Sequence, residues 1–205
     1  MAQAEVARER GSGSVQFIDP PFVQQILGNS SWAWLWLIVR LYVGYEWITA
    51  SLDKLGSPAW MQTGAALKGF WQGAVNSGAG TSHPAIAFGW YRSFIESLLN
   101  SGAYVWFAKL VAISEITVGV LLVLGAFTGL AAFVGGFMNW NFMMAGTASI
   151  NPVLFTLSIL LLLAWKIAGY WGLDRFLLPA LGTPWRRGNI FGSATPPDTA
   201  PNPRA

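Results

Sequence analysis

Four ionisable side chains interrupt otherwise apolar runs: Arg40 and Glu46 within residues 32–52, and Lys109 and Glu115 within residues 103–124. A charge at bilayer depth is costly, so each calls for an opposite charge or a wet cavity. Let the two runs be antiparallel neighbours whose outer ends lie level at Leu52 and Ala103. Arg40 and Glu115 then each sit about twelve residues in from those ends, and Glu46 and Lys109 each about six. At ~1.5 Å of rise per residue, two complementary pairs are expected. Arg40 with Glu115 falls nearer mid-bilayer, and Glu46 with Lys109 nearer the outer face. Such groups can hold a small ligand or a carrier headgroup, pass an ion or a proton, or simply lock helices together. A buried pair need not add stability and can serve mainly to specify packing.

Helix-face arithmetic refines the expectation. At ~100° per residue, Arg40 and Glu46 are about 120° apart, as are Lys109 and Glu115, so one straight seam does not hold both pairs. At least one pair should border a cavity. Glu46, Thr49 and Asp53 share a face and make a polar stripe leading outward. Gly44 lies one turn after Arg40 and Gly119 one turn after Glu115, which allows close backbone approach. Ala132, Gly136 and Asn139 form another stripe, and Asn139 and Glu115 lie about equally far from the hairpin at 125–129. A lone loop histidine such as His83 is read as solvated, with a proton relay as the alternative.

Composition says what must position these groups. The chain has 205 residues, of which only 10% are charged and 54% hydrophobic, with 12 Trp and 13 Phe. That is too little charge to cover a soluble globule, since about 25% is usual. The net charge of +3 is small and scattered, which argues against a nucleic-acid partner. There is no cysteine and one histidine, so disulfide exchange, thiolate zinc, iron–sulfur and bis-histidine haem chemistry cannot be built from one copy. Redox work would need an organic carrier or a partner that holds the cofactor.

The fold class expected is an all-α integral membrane protein: a four-transmembrane-helix bundle with spans at about 32–52, 103–124, 128–146 and 151–170. Residues 1–30 read as a mobile tail without a secretory signal, and 179–205 as a Pro-rich tail. Between the first two spans lies an excursion at 55–102, rich in Gly, Ser and aromatics. Two short helices fit there, 58–75 and 84–100, lying either flat at the interface or as a lid over a pocket. Asn151-Pro152 is expected to cap the fourth span. Four spans put both termini on one side. Lys166, Arg175, Arg186 and Arg187 near the last span outweigh Lys54, Lys68 and Arg92, which places the termini in the cytoplasm and the excursion outside.

The segment Val39-Arg40-Leu41-Tyr42-Val43-Gly44, then Ala50-Ser51-Leu52-Asp53-Lys54-Leu55, resembles the first-helix pattern of the DoxX/DoxD family: an arginine, a glycine four later, and a lysine near the helix end. Glu115, Gly119, Leu121 to Gly125 with Phe127-Thr128, and the closing Gly172-Leu173-Asp174, extend the resemblance over roughly 32–178. It implies a small four-helix protein of the inner (plasma) membrane, similar to DoxD-type subunits of a thiosulfate:quinone oxidoreductase. On that reading Arg40 or Lys109 would face an anionic donor or a reduced quinone oxygen, and Glu115 or Glu46 would exchange quinone protons. Asn139 would donate to a quinone carbonyl, and Trp47, Phe137 and Trp140 would flank the ring. Quinone is the expected diffusible acceptor, with no haem, iron–sulfur centre or metal held by this chain alone. Lipids and a second subunit, or further copies of the chain, are the expected partners. The alternatives are a non-catalytic scaffold of a redox assembly and a small-anion or proton transporter.

Overall fold

The computed structural model describes residues 20–182. The expectations for the N-terminal Gly/Ser segment, Arg186, Arg187 and most of the Pro-rich tail lie outside the described residues. Within them every regular element is helical. Helix α1 (Pro21–Gly28) falls inside the stretch expected to be a tail. It is tied down because Ile26 and Leu27 pack on the bundle core and the Ile26 carbonyl accepts the Trp36 indole N–H at 2.7 Å. The Asn29 side chain then caps a 3₁₀ turn, Ser30–Trp32, that leads into α2 (Ala33–Leu55).

The excursion holds α3 (Pro58–Met61), α4 (Ala65–Asn76) and α5 (Gly89–Asn100). The single helix expected over 58–75 breaks at Gly64, whose φ of +67° suits glycine and whose missing Cβ leaves room for the Tyr104 backbone. The helix expected from Pro84 starts only at Gly89. Next come α6 (Tyr104–Leu124), α7 (Thr128–Met144) and α8 (Asn151–Leu163). The last of these stops well short of Tyr170: the chain leaves the helix at Ala164 and re-forms as α9 (Trp165–Ala168), which turns Ile167 and Ala168 into the core. Asn151 is a helical residue rather than a cap, its amide donating to the Thr147 carbonyl at 3.1 Å. Helix α10 (Asp174–Ala180) closes the described chain. Of these helices α6 alone is long and apolar enough to cross a membrane, while α8 is apolar but 13 residues long.

Small residues set the packing. A Cβ on Gly44 would lie 2.9 Å from Val123 Cγ2, and one on Gly119 would lie 2.7 Å from Ile48 Cγ1, so α2 and α6 touch backbone to backbone. Helices α7 and α8 meet at Gly136, where a Cβ would lie 3.3 Å from that of Ser158. Two apolar cores result. One, around Trp36, Val43, Leu122 and Leu161, fills the bundle. The other, around Leu67, Trp71, Ile86 and Ile95, joins the excursion to Ala108 of α6 and Ala145 just past α7.

Candidate functional site

The expected charge pairs do not form. Gly44 lies against Gly119 and Val123, and Gly119 against Gly44 and Ile48, which fixes the antiparallel register of α2 and α6. Arg40 is one turn before Gly44 and Glu115 one turn before Gly119, so in antiparallel helices they point to opposite ends, at least ~12 Å apart in height. Glu46 and Lys109 are separated in the same way, and neither makes an ion pair among the described residues. The level-ends assumption fails because α6 begins nearly two turns, ~9 Å, beyond the end of α2, beside α3 and the Gly64 bend.

The partner of Glu115 is Lys54, in the last turn of α2. Its ammonium donates to both carboxylate oxygens at 2.5 Å. The Glu115 side chain is 1% exposed and that of Lys54 20%. The Trp60 and Phe142 ring centroids lie 5.2 Å and 5.8 Å from Lys54 Nζ, so the cation is boxed by two aromatic faces. Lys54 stands in the Ala50–Leu55 motif near the helix end, and that position is the signal the sequence offers. Because it lies past the apolar run, the sequence by itself reads it as a flanking charge.

Behind Phe142 opens a cavity of about 290 Å³ between α4, α5, α6 and α7. Leu67 and Trp71 of α4, Tyr91 of α5, Phe107 of α6 and Phe142 of α7 give it an apolar wall. Its polar groups are few. Ser114, next to Glu115 in the chain, lines it, as do Tyr91 and Asn141. The Tyr91 hydroxyl donates to the Asn141 carbonyl at 3.0 Å, and burial pushes the phenol up to about 12. Phe94, Leu110 and Phe137, about half exposed, mark the mouth between α5, α6 and α7.

Arg40 belongs to the opposite end. It is 1% exposed, and its Nη2 donates to the Trp171 carbonyl at 3.2 Å. A Cβ on Gly125 would fall on its Nη1, and one on Gly172 would lie 2.7 Å from it, so both glycines exist to admit the guanidinium. Asp174, whose charge acts on Arg40, accepts the N–H groups of Phe127 at 2.6 Å and Thr128 at 2.9 Å. It thereby caps α7 from a distant part of the chain and supports Phe127 at φ +49°. Backbone bonds from Leu173 to Leu124 and from Asp174 to Gly125 complete the latch.

The remaining candidates scatter. Val118 and the Trp47 indole both lie against Gly135, so Glu115 and Asn139 share a height as expected. Asn139 and Trp47 are nonetheless sealed in the bundle interior and do not line the cavity; the polar atoms of both side chains lack partners among the described residues. Phe137 lines the cavity, and Trp140 lines a separate groove between α7 and α8. Thr49 of the outward stripe turns its hydroxyl back on the Tyr45 and Glu46 carbonyls. His83 is exposed, in keeping with a solvated residue. Comparison with protein-family models, with curated proteins and with solved structures finds no match.

Proposed function

We propose that this chain is a four-span membrane subunit that binds a quinone, the acceptor implied by its resemblance to the DoxX/DoxD family. The observation that carries the reading is an apolar cavity with a partly buried lysine–glutamate pair one aromatic ring behind its wall. The cavity is at the small end of ligand-site volumes, about 300–1,000 Å³, which suits a single ring. Few polar groups with a largely apolar wall is the usual make-up of such a site.

The membrane placement of all four long helices is part of the proposal. It is supported by an apolar outer band, in which Ile38, Ile113, Phe133 and Leu163 are each half exposed or more, far more than a water-facing surface normally carries. Exposed aromatics cluster at both ends, Trp32, Trp34 and Trp171 at one and Trp90 and Trp106 at the other, as at two headgroup levels. Arg40, Glu46, Asp53 and Lys54 lower the apolar character of α2. Two of the four are withdrawn from lipid, Arg40 into the latch and Lys54 onto Glu115.

In this reading Lys54 and Glu115 serve as the proton station for the ring oxygens. Lys54 is open to water on one side, Phe142 separates it from the cavity, and Ser114 offers a hydroxyl on the cavity side. Arg40 drops out of the substrate site and serves the fold. Lys54 is neutralised by its partner, so the site keeps no free cation for an anionic donor. Thiosulfate, if it is the donor, is then oxidised on a partner subunit. A non-catalytic scaffold is the second reading, favoured by the burial of Arg40 in the latch, away from the cavity.

The deciding experiment uses the full chain in lipid nanodiscs and follows Trp fluorescence during quinone titration. Binding should saturate in the wild type and be lost in Ser114→Trp, which fills the cavity, while Glu115→Gln should bind but lose pH-dependent turnover with its partner. Absence of binding in a folded wild type would leave the scaffold.

A further inference from the structure

The cavity is too small for a whole lipid-borne quinone, and the groove between α7 and α8 begins on the far side of a residue that lines both. Phe137 forms part of the cavity wall and of this groove. The groove holds about 250 Å³ and is floored by Ala132 and Gly136, with Phe155 and Ile159 along its α8 side. It runs from the level of Trp140 to that of Ala132, about 12 Å along α7. The Phe137 and Trp140 rings stack at 5.9 Å, forming its outer lip. We propose that the groove is the seat of the isoprenoid tail of the quinone whose ring enters the cavity, with Phe137 as the ridge the chain crosses. This deepens the quinone reading and rests on it.

Three observations favour a hydrocarbon tail as the occupant. The groove presents almost no polar surface. It is continuous with the cavity mouth across one ring. Its floor of small residues lies on the outward side of the bundle, where a tail would already be in hydrocarbon. For that reason the gain on seating is one of packing rather than of removal from water, and a modest affinity increment of about tenfold is expected.

The test compares a tailed quinone with its tail-less ring analogue, both titrated into the full chain in nanodiscs and expressed per mole of lipid. The wild type should bind the tailed form about tenfold more tightly, as packing alone allows. Ile159→Trp fills the groove from its exposed rim; it should erase that advantage and leave the tail-less affinity unchanged. Leu162→Trp, also on the rim, guards against a local folding fault in the first variant. An advantage that survives in both variants overturns the tail site while leaving the ring site intact. Equal wild-type affinities for the two ligands also overturn it. Failure of the wild type to bind either ligand removes the quinone reading, and the tail site with it.

Discussion

At the scale of single residues, the Lys54–Glu115 pair is costly to break. A buried charge left without its partner typically costs about 3–5 kcal/mol, whereas replacing both partners by apolar groups is often near neutral. Glu115→Gln strands the Lys54 ammonium between Trp60 and Phe142. Because Lys54 is 20% exposed and can turn to water, the low end of that range, about 3 kcal/mol, is expected. Lys54→Met combined with Glu115→Leu should recover most of the loss. Denaturant titration in detergent measures both, and a double variant as unstable as the sum of the singles would mean that the two side chains are not coupled.

At the scale of elements, two contacts hold helices that the chain does not hold by local means. Asp174 accepts both leading N–H groups of α7 from 46 and 47 residues away. Asp174→Ala should cost about 3 kcal/mol, since hydrogen bonds to a charged group are worth ~1.5–3 kcal/mol each, and Asp174→Asn should cost less. Thermal unfolding in detergent separates the two. The excursion is pinned by Tyr91 to Asn141 and by Arg92, which donates to the Val75 carbonyl and to Glu96. The Tyr91 phenol titrates at about 12 in the folded protein against 10.0 ordinarily. The unfolded or opened chain therefore gives up this proton first, and the contribution of Tyr91 to closure is present below pH 10 and fades as the pH rises toward 12. Hydrogen exchange of α5 should show the roof loosening over that window, and Tyr91→Phe should remove its share of the pH dependence.

For the molecule as a whole, the prediction concerns orientation. The absence of cysteine makes single-cysteine labelling clean. Ser82, exposed in the α4–α5 loop, and Ser30, exposed before α2, lie at opposite ends of the bundle. Ser82→Cys should react with an impermeant maleimide in intact cells and Ser30→Cys only after permeabilisation. The reverse pattern would invert the topology, and equal labelling of both would remove the spanning bundle itself.

Much of the architecture is legible in the sequence: the helical periods, the hairpin at 125–129, the glycine contacts of α2 with α6, and the shared height of Glu115 and Asn139. These follow from local rules, since a short hairpin forces its two helices into register and glycine spacing marks close approach. The pairing of Arg40, Lys54 and Glu115 was not legible, because a 48-residue excursion separates α2 from α6, and no local rule says how far one helix overhangs the other. Docking of α3 and α4 against the first turn of α6 decides that offset, and the reach of one lysine side chain then decides the partner of Glu115. The latch depends on chain distance in the same way. The closing glycine and aspartate stand in plain sight, but only folding brings Gly172 against the Arg40 guanidinium and Asp174 onto the leading N–H groups of α7, which have no partner within their own helix.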